Sequence, residues 1–380
     1  MHTTRRAWWL LCVALIGLPA CAADNPTVAP ERAGELVAPS TIEAPIAEPP
    51  STEPATTQAP PAPAPEAEPA ATTAPPATLA TKAAAPAITA PATTAPTGPT
   101  GPRPSVPAGA ARPAAGSIES YSGLGTWVDV YDWSHYKGTT PTVGPDQVDQ
   151  MAAEGVQTLY LQTAKHDTPD TISEPELLFP IIERARQRGI RVVAWYLPTL
   201  EDPANDLNRL VASANLDVDG IAVDIEARNV ADVQERNRRL IDLSAQLRRA
   251  LPGRAIGAIV LPPVVLEVVN PNFWPSFPYR EIAPYYDVWQ TMGYWTNRKA
   301  DSGYRDPYRY TDENIRRLRN NLGQPSAPVH PIGGIGADGA GDVNAFLAAA
   351  VDNRAIGGSV YDWRTTKQGA WQHLRKFRSR

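Results

Sequence analysis

Hydrophobic and polar positions fall into three regimes along the 380-residue chain. The first is a single apolar run, Ala7 to Leu18, behind the charges of Arg5 and Arg6. The second, residues 22–115, has no hydrophobic period of either kind. The third, residues 116–380, alternates between two periods. Short β-rich runs begin at Thr126, Val156, Ile190, Gly220, Ala255, Tyr286, Val329 and Ile356. Between most of them lie helical patterns. One places Leu177, Leu178, Ile181, Ile182 and Ala185 on one face, opens with a capping box at Ser173-x-x-Glu176 and closes before Gly189. Another spaces Val230, Val233, Leu240, Ile241, Leu247 and Leu251 helically, and a third runs from Thr311 through Ile315, Leu318 and Leu322 to Gly323. Eight strand-like runs alternating with helices match an α/β fold of the (β/α)8 TIM barrel kind in count and length. The rival is an open doubly wound sheet, and eight repeats in one domain favour closure.

Composition adds a location. The apolar run is about a dozen residues, short of the ~20 needed to span a bilayer, and reads as a secretion signal over residues 1–20. It ends at Leu18-Pro19-Ala20-Cys21, which resembles the bacterial lipoprotein cleavage box. The resemblance implies cleavage before Cys21, lipid on that cysteine, and an exported protein anchored to the outer face of the cell membrane. Ordinary cleavage after Ala20-Cys21-Ala22 is the alternative. The other cysteine, Cys12, lies inside the signal, so the mature chain has no disulfide and relies on core packing. Residues 22–115 hold 22 of the 41 prolines and no aromatic residue, too little apolar surface to offset chain entropy. Residues 21–115 are therefore expected to be a disordered Pro/Ala/Thr/Glu-rich linker, with the barrel at 116–380. A net charge of −5 and the lack of any basic block exclude nucleic acid as a partner. No metal spacing is seen among His135, His166, His330 and His373, and no metal or other cofactor is expected. A monomer is the expected state.

In such barrels chemistry sits at the C-terminal ends of strands. The first run ends in Asp129, Tyr131, Asp132 and Trp133, and the third in Trp195 and Tyr196. The sixth ends in Gln290, Met292, Tyr294 and Trp295, and the eighth in Tyr361, Asp362 and Trp363. Carboxylates among Trp and Tyr suit a sugar: aromatic faces stack on pyranose C–H faces while acids bind hydroxyls and handle protons. The fourth run is the most informative. Side chains alternate across a strand, so Ala222, Asp224 and Glu226 face the barrel axis together, with the two acids ~6.6 Å apart at their α-carbons. Each raises the other's pKa, which favours one protonated group near neutrality and suits a general acid. Solvation at the mouth, or pairing with an arginine, is the simpler account of an isolated Asp-x-Glu, but at the end of a barrel strand ringed by aromatics catalysis is the favoured one.

Asp219 to Glu226 resembles the Asp-Gly-x-Asp-x-Asp-x-Glu signature of glycoside hydrolase family 18, the chitinases and related N-acetylglucosaminidases. Met292-Gly293-Tyr294 is similar to that family's sixth-strand Met-x-Tyr, and Gly357-Gly358 to the glycines opening its last strand. The resemblance implies that Glu226 is the general acid, that Asp224 orients the substrate's 2-acetamido group and that Tyr294 helps hold it. The acetamido oxygen would be the nucleophile, outside the two-carboxylate scheme. Ala222 departs from the pattern, standing where the family has an inner aspartate that tunes its neighbour's charge. The first strand resembles another family. Val128-Asp129-Val130, Trp133-Ser134 and Tyr136-Lys137-Gly138 look like the opening of the family 25 muramidases, which implies that Asp129 joins Asp224 and Glu226 while Asp362 completes an acidic ring.

The expected function is hydrolysis of an N-acetylhexosamine polysaccharide such as peptidoglycan or a chitin-like chain. Catalysis falls to Glu226, Asp224 and Asp129, and substrate binding to Tyr294, Gln290, Met292, Trp195, Tyr131, Asp362 and Trp363. The alternatives are a non-catalytic carbohydrate-binding barrel, and a glycosidase of other specificity using Asp129 or Asp362 as second carboxylate. Gly334-x-Gly336-x-x-Gly339 matches a phosphate-loop pattern, but in the seventh unit it reads as a loop. Lys165, His166 and Asp167 follow the second strand and read as a mouth loop that either binds substrate or carries ordinary surface charge. Trp274, Phe277 and Tyr279 read as either a substrate wall or a plug.

Overall fold

The computed structural model describes residues 116–336 and 339–379; the signal segment, the Cys21 lipidation site and the linker lie outside the described residues. Eight parallel strands form one sheet: β1 (Gly123–Val128), β2 (Thr158–Gln162), β3 (Arg191–Tyr196), β4 (Gly220–Ile225), β5 (Ile256–Val260), β6 (Val288–Thr291), β7 (Ile332–Gly333) and β8 (Gly357–Val360). Their order is β6-β5-β4-β3-β2-β1-β8-β7. Bridges Trp289 to Val329 and Met292 to Ile332 join β6 to the segment of β7 and close the barrel. The fold is the expected (β/α)8 barrel. Nearly every strand residue is buried, because a parallel barrel covers both faces of its sheet.

Helices follow the strands at Pro145–Glu154, Pro175–Gln187, Pro203–Ala214, Val233–Ala250, Tyr279–Ile282, Pro307–Leu322, Ala340–Asp352 and Gln368–Leu374. Several start on local chemistry. Asp202, Asp232 and Asp306 each accept a hydrogen bond from the backbone N–H three residues on. Gly323 ends the helix that starts at Pro307, with φ at 68°, where a side chain would be strained.

Three local expectations are corrected. The capping box at Ser173 and Glu176 does not form. Glu174 occupies the cap position without a side-chain cap bond, Pro175 opens the helix, and the Glu174 carboxylate instead accepts from the backbone N–H of His135. Val230 lies before the helix, which starts after Asp232. The first strand ends at Val128, and Val130–Trp133 makes one helical turn, which turns Asp132 and Trp133 under the surface.

The N-terminal end of the barrel is sealed by Tyr121. Its hydroxyl lies 2.7 Å from the carbonyl of Ile221 and 3.0 Å from that of Ala255, and accepts from the N–H of Ile221. Gly220 and Gly257 make room, since a Cβ at either would fall 2.8 Å from the tyrosine ring system. Above it, Tyr160 stacks on Trp127 at 4.2 Å. His330 spans the Tyr121 carbonyl and the Ser359 hydroxyl, which also accepts from the Trp127 indole. The C-terminal end of the barrel is left open among the described residues. Tyr121→Phe strips partners from buried backbone groups, so urea unfolding is expected to report a loss of about 1–3 kcal/mol. An unchanged midpoint would mean that this seal contributes nothing.

Candidate active site

At the open end lies a hollow of about 130 Å³. Its floor and walls come from strand ends around the ring. Trp127 and Asp129 come from β1, Gln162 and Lys165 from β2, Trp195 and Leu197 from β3, and Asp224 and Glu226 from β4. Met292 and Tyr294 follow β6, while Tyr361 and Asp362 follow β8. Tyr131 closes one side. The four carboxylates of Asp129, Asp224, Glu226 and Asp362 therefore converge on one space, with aromatic rings between them.

The fourth strand places its acids as the alternation requires. Gly220, Ala222 and Asp224 point to the axis, with Ile221, Val223 and Ile225 packed in the core layer outside. Asp224 is 5% exposed. Its Oδ1 and the Oε1 of Glu226 are buried without a hydrogen-bond partner among the described residues. Burial pushes Asp224 well above the usual carboxylate range, the adjacent Glu226 charge adds to this, and Lys165 opposes it. Burial raises Glu226 to about 7, again against Lys165. The pair thus keeps a proton at a pH where free acids have lost theirs. The Tyr294 hydroxyl is pushed up by burial and then by Glu226, Asp224 and Asp362, which puts it within electrostatic reach of all three.

The acids of the β1 and β8 ends are in a different state. Asp129 accepts from the N–H of Tyr131 at 2.9 Å and the Tyr361 hydroxyl at 3.1 Å. Asp362 accepts from the N–H of Thr365 at 2.8 Å. Asp132, fully buried below them, pairs with Arg364 at 3.2 Å. One oxygen from each of Asp129, Asp132 and Asp362 falls within 4.8 Å of the others, the spacing of a metal-ligand set. Neutral donors reach Asp129 and Asp362, and one guanidinium reaches Asp132.

Lys165 belongs to the site. It is 7% exposed, lines the hollow and holds its ammonium 5.6 Å from the Tyr131 ring centre and 5.3 Å from that of Tyr136. Its loop is pinned by the buried Arg209, which donates to the Thr168 hydroxyl and to the carbonyls of Thr168 and Asp170. Asp167 accepts from the Tyr136 hydroxyl at 2.7 Å. Met292, Trp195, Tyr131, Tyr294 and Asp362 line the hollow as expected. The Trp195 indole Nε1 is buried there without a partner.

Two expected binding residues are not brought to the hollow. Gln290 faces the axis but is fully buried one pleat below Met292, beside Gly257 and under the floor. Trp363 turns outward and packs on Trp371 of the final helix, ring centres 5.0 Å apart. Trp127 and Gln162 were not anticipated. Trp127 was legible as the inward position two residues before Asp129, whereas Gln162 carried no signal beyond ending a strand. Trp274 proves to be a plug: its indole donates to Asn237 on the helix after β4. Ile335 of the glycine-rich loop after β7 also lines the hollow.

No protein-family model and no curated protein sequence matches the chain. Solved structures do. The C-terminal domain of a protein assigned as a chitinase from Desulfitobacterium hafniense superposes with a TM-score of 0.51 at 12% identity, covering 68% of this chain and 99% of that one. The Bacillus cereus spore cortex-lytic enzyme SleL gives 0.50 at 11% identity, covering 67% and 73%. A family 18 chitinase from Cycas revoluta in complex with allosamidin gives 0.50 at 12%, covering 68% and 99%. At these identities the likeness is one of fold alone, that of the (β/α)8 barrel.

Proposed function

We propose that this barrel is a glycoside hydrolase acting on N-acetylhexosamine polymers, such as peptidoglycan or a chitin-like chain, with Glu226 as general acid. One observation carries the reading. Asp224 and Glu226 are adjacent inward acids that line an aromatic-walled hollow, and one oxygen of each is buried with no hydrogen-bond partner among the described residues. Asp129, by contrast, accepts from the Tyr131 N–H and the Tyr361 hydroxyl. Acids left unsatisfied at the C-terminal end of a barrel are suited to substrate. The chitinases and the cortex-lytic enzyme among the structural neighbours support the same reading.

In this mechanism Glu226 protonates the departing sugar's oxygen as the glycosidic C–O bond breaks. The substrate's own acetamido oxygen attacks the anomeric carbon from the other face, with Asp224 and Tyr294 orienting that group. Water then opens the cyclic intermediate, and the Glu226 carboxylate takes its proton. Asp129 and Asp362 line the same hollow from β1 and β8, across the barrel from β4, and this favours a second reading in which one of them is the nucleophile. Lipid on Cys21 would hold the barrel at the outer membrane face, with residues 22–115 as the tether.

Glu226→Gln should lower kcat by about 10²–10⁴-fold on an N-acetylated glycan while binding persists. A native chain that binds such glycans and turns over none is a carbohydrate-binding barrel instead, the outcome that Ala222 motivates. Among Asn variants, a loss at Asp224 far exceeding that at Asp129 and Asp362 favours the acetamido nucleophile, and the reverse order favours the second reading.

The pH dependence has a definite sign. Glu226 must be protonated to act, and its pKa is raised to about 7, so kcat/KM of the free enzyme should fall as pH rises through about 7. The Lys165 charge holds that value down, so Lys165→Met should carry the alkaline limb to higher pH. A limb at the pKa of an ordinary glutamate, or one that Lys165→Met leaves in place, argues against Glu226 as the acid.

Cys21→Ser should move the protein from the membrane fraction to the soluble exported fraction of a bacterial host. Retention in the membrane fraction would rule out the lipid anchor.

A further inference from the structure

Two arginines follow Glu226 along the chain and lie outside the lining of the hollow. Arg228 lies two residues past Glu226 on the loop leaving β4, so their α-carbons are within ~7 Å. It is exposed, and its guanidinium stacks 4.0 Å from the ring centre of Phe273 on the loop leaving β5, with only a long 3.5 Å contact to the Phe273 carbonyl. Arg236, in the first turns of the helix Val233–Ala250, lies 4.5 Å over the neighbouring Trp274. Arg236 is 4% exposed, and its Nε and Nη1 are buried with no hydrogen-bond partner. Burial lowers its pKa, the nearby Arg228 lowers it further, and Asp232 opposes them. The Asp232 carboxylate is itself engaged in capping the helix through the N–H of Glu235 at 2.8 Å.

Two close guanidiniums, one of them buried with idle donors, are what a missing acceptor leaves behind. A planar fork of N–H groups on an aromatic backing fits a carboxylate. The hollow itself is unsuited to one, since Asp129, Asp224, Glu226 and Asp362 line it against the single charge of Lys165. An anionic substituent on the substrate therefore belongs at the rim, on the sugar next to the one at the acids.

We infer that Arg228 and Arg236, backed by Phe273 and Trp274, form a subsite for a carboxylate borne by the neighbouring sugar. This rests on the hydrolase reading and narrows its substrate class to N-acetylhexosamine polymers with acidic substituents. The carboxylate is either a lactyl ether on the sugar or part of a peptide attached to it.

The test is calorimetric binding to the full chain carrying Glu226→Gln, so that ligands survive, at low salt. Three ligands are compared: neutral tetra-N-acetylchitotetraose, the alternating N-acetylglucosamine–N-acetylmuramic acid tetrasaccharide, and the same tetrasaccharide bearing peptides. Tighter binding of an acidic ligand by about tenfold or more is expected. That ratio should collapse towards one on adding Arg228→Ala or Arg236→Met, while Arg228→Lys retains part of it. Preference for both acidic ligands assigns the lactyl group, and preference for the peptide-bearing one alone assigns the peptide. Arg228 is exposed, so its variants test the subsite even where Arg236→Met unfolds. A ratio near one in the parent, or one that survives both substitutions, overturns the inference. Turnover of the neutral tetramer by the native chain with a ratio near one removes this subsite and leaves the hydrolase reading intact. A preference without turnover does the reverse.

Discussion

A side chain on a strand of a closed parallel barrel has two destinations, the axis or the helix layer, and successive residues alternate between them. The site depends on that constraint. Ile221, Val223 and Ile225 need the apolar helix interface, and satisfying them forces Ala222, Asp224 and Glu226 inward regardless of the cost to the acids. The outward residues thus drive two carboxylates into a place where they cannot be well hydrated. The raised pKa of Glu226 follows from the packing of its apolar neighbours.

The lower barrel sets how deep the hollow can be. Tyr121, Tyr160, Trp127 and His330 fill the axis from the N-terminal end, linked through the Ser359 hydroxyl. Large rings there require small partners on the facing strands, which Gly125, Gly220 and Gly257 provide. Ala222 belongs to this set. It is fully buried, and a Cβ on Gly257 would lie 3.3 Å from its own. A carboxylate at 222 would have to share that layer with Tyr121 and Gln290. The departure from the chitinase-like signature is thus part of a floor built from aromatic rings.

Strand positions and parity were legible because each run is apolar on the outward face and bounded by turns. Depth was not. Gln290 lies on the correct face, but whether an inward residue reaches the hollow depends on the stagger of its neighbours, which one strand's sequence does not encode. Alternation also ends with the strand. Tyr361 and Asp362 are consecutive yet both line the hollow, and Trp363 then turns away to the final helix. Likewise the helical turn after Val128 keeps Asp129 and Tyr131 at the wall and sends Asp132 below. Lys165 sits on a loop, where no periodicity applies. Its place is fixed from a distant helix through Arg209, a long-range dependence that local pattern cannot carry.

That lysine also bears on how the site works without an acid at position 222. In the chitinase-like pattern an inner aspartate adjusts the charge of the one above it. Here the charge that reaches both Asp224 and Glu226 is the Lys165 ammonium, arriving from the end of β2. It is held over two tyrosine rings, and those rings keep it in place with little competing charge of their own. An adjacent cation favours the ionised form of whichever acid has lost its proton, whereas an adjacent acid would favour the protonated form. The cation opposes the rise that burial imposes on both acids. The proposed acid catalysis beside an oriented acetamido group requires one group able to donate a proton and one able to accept it.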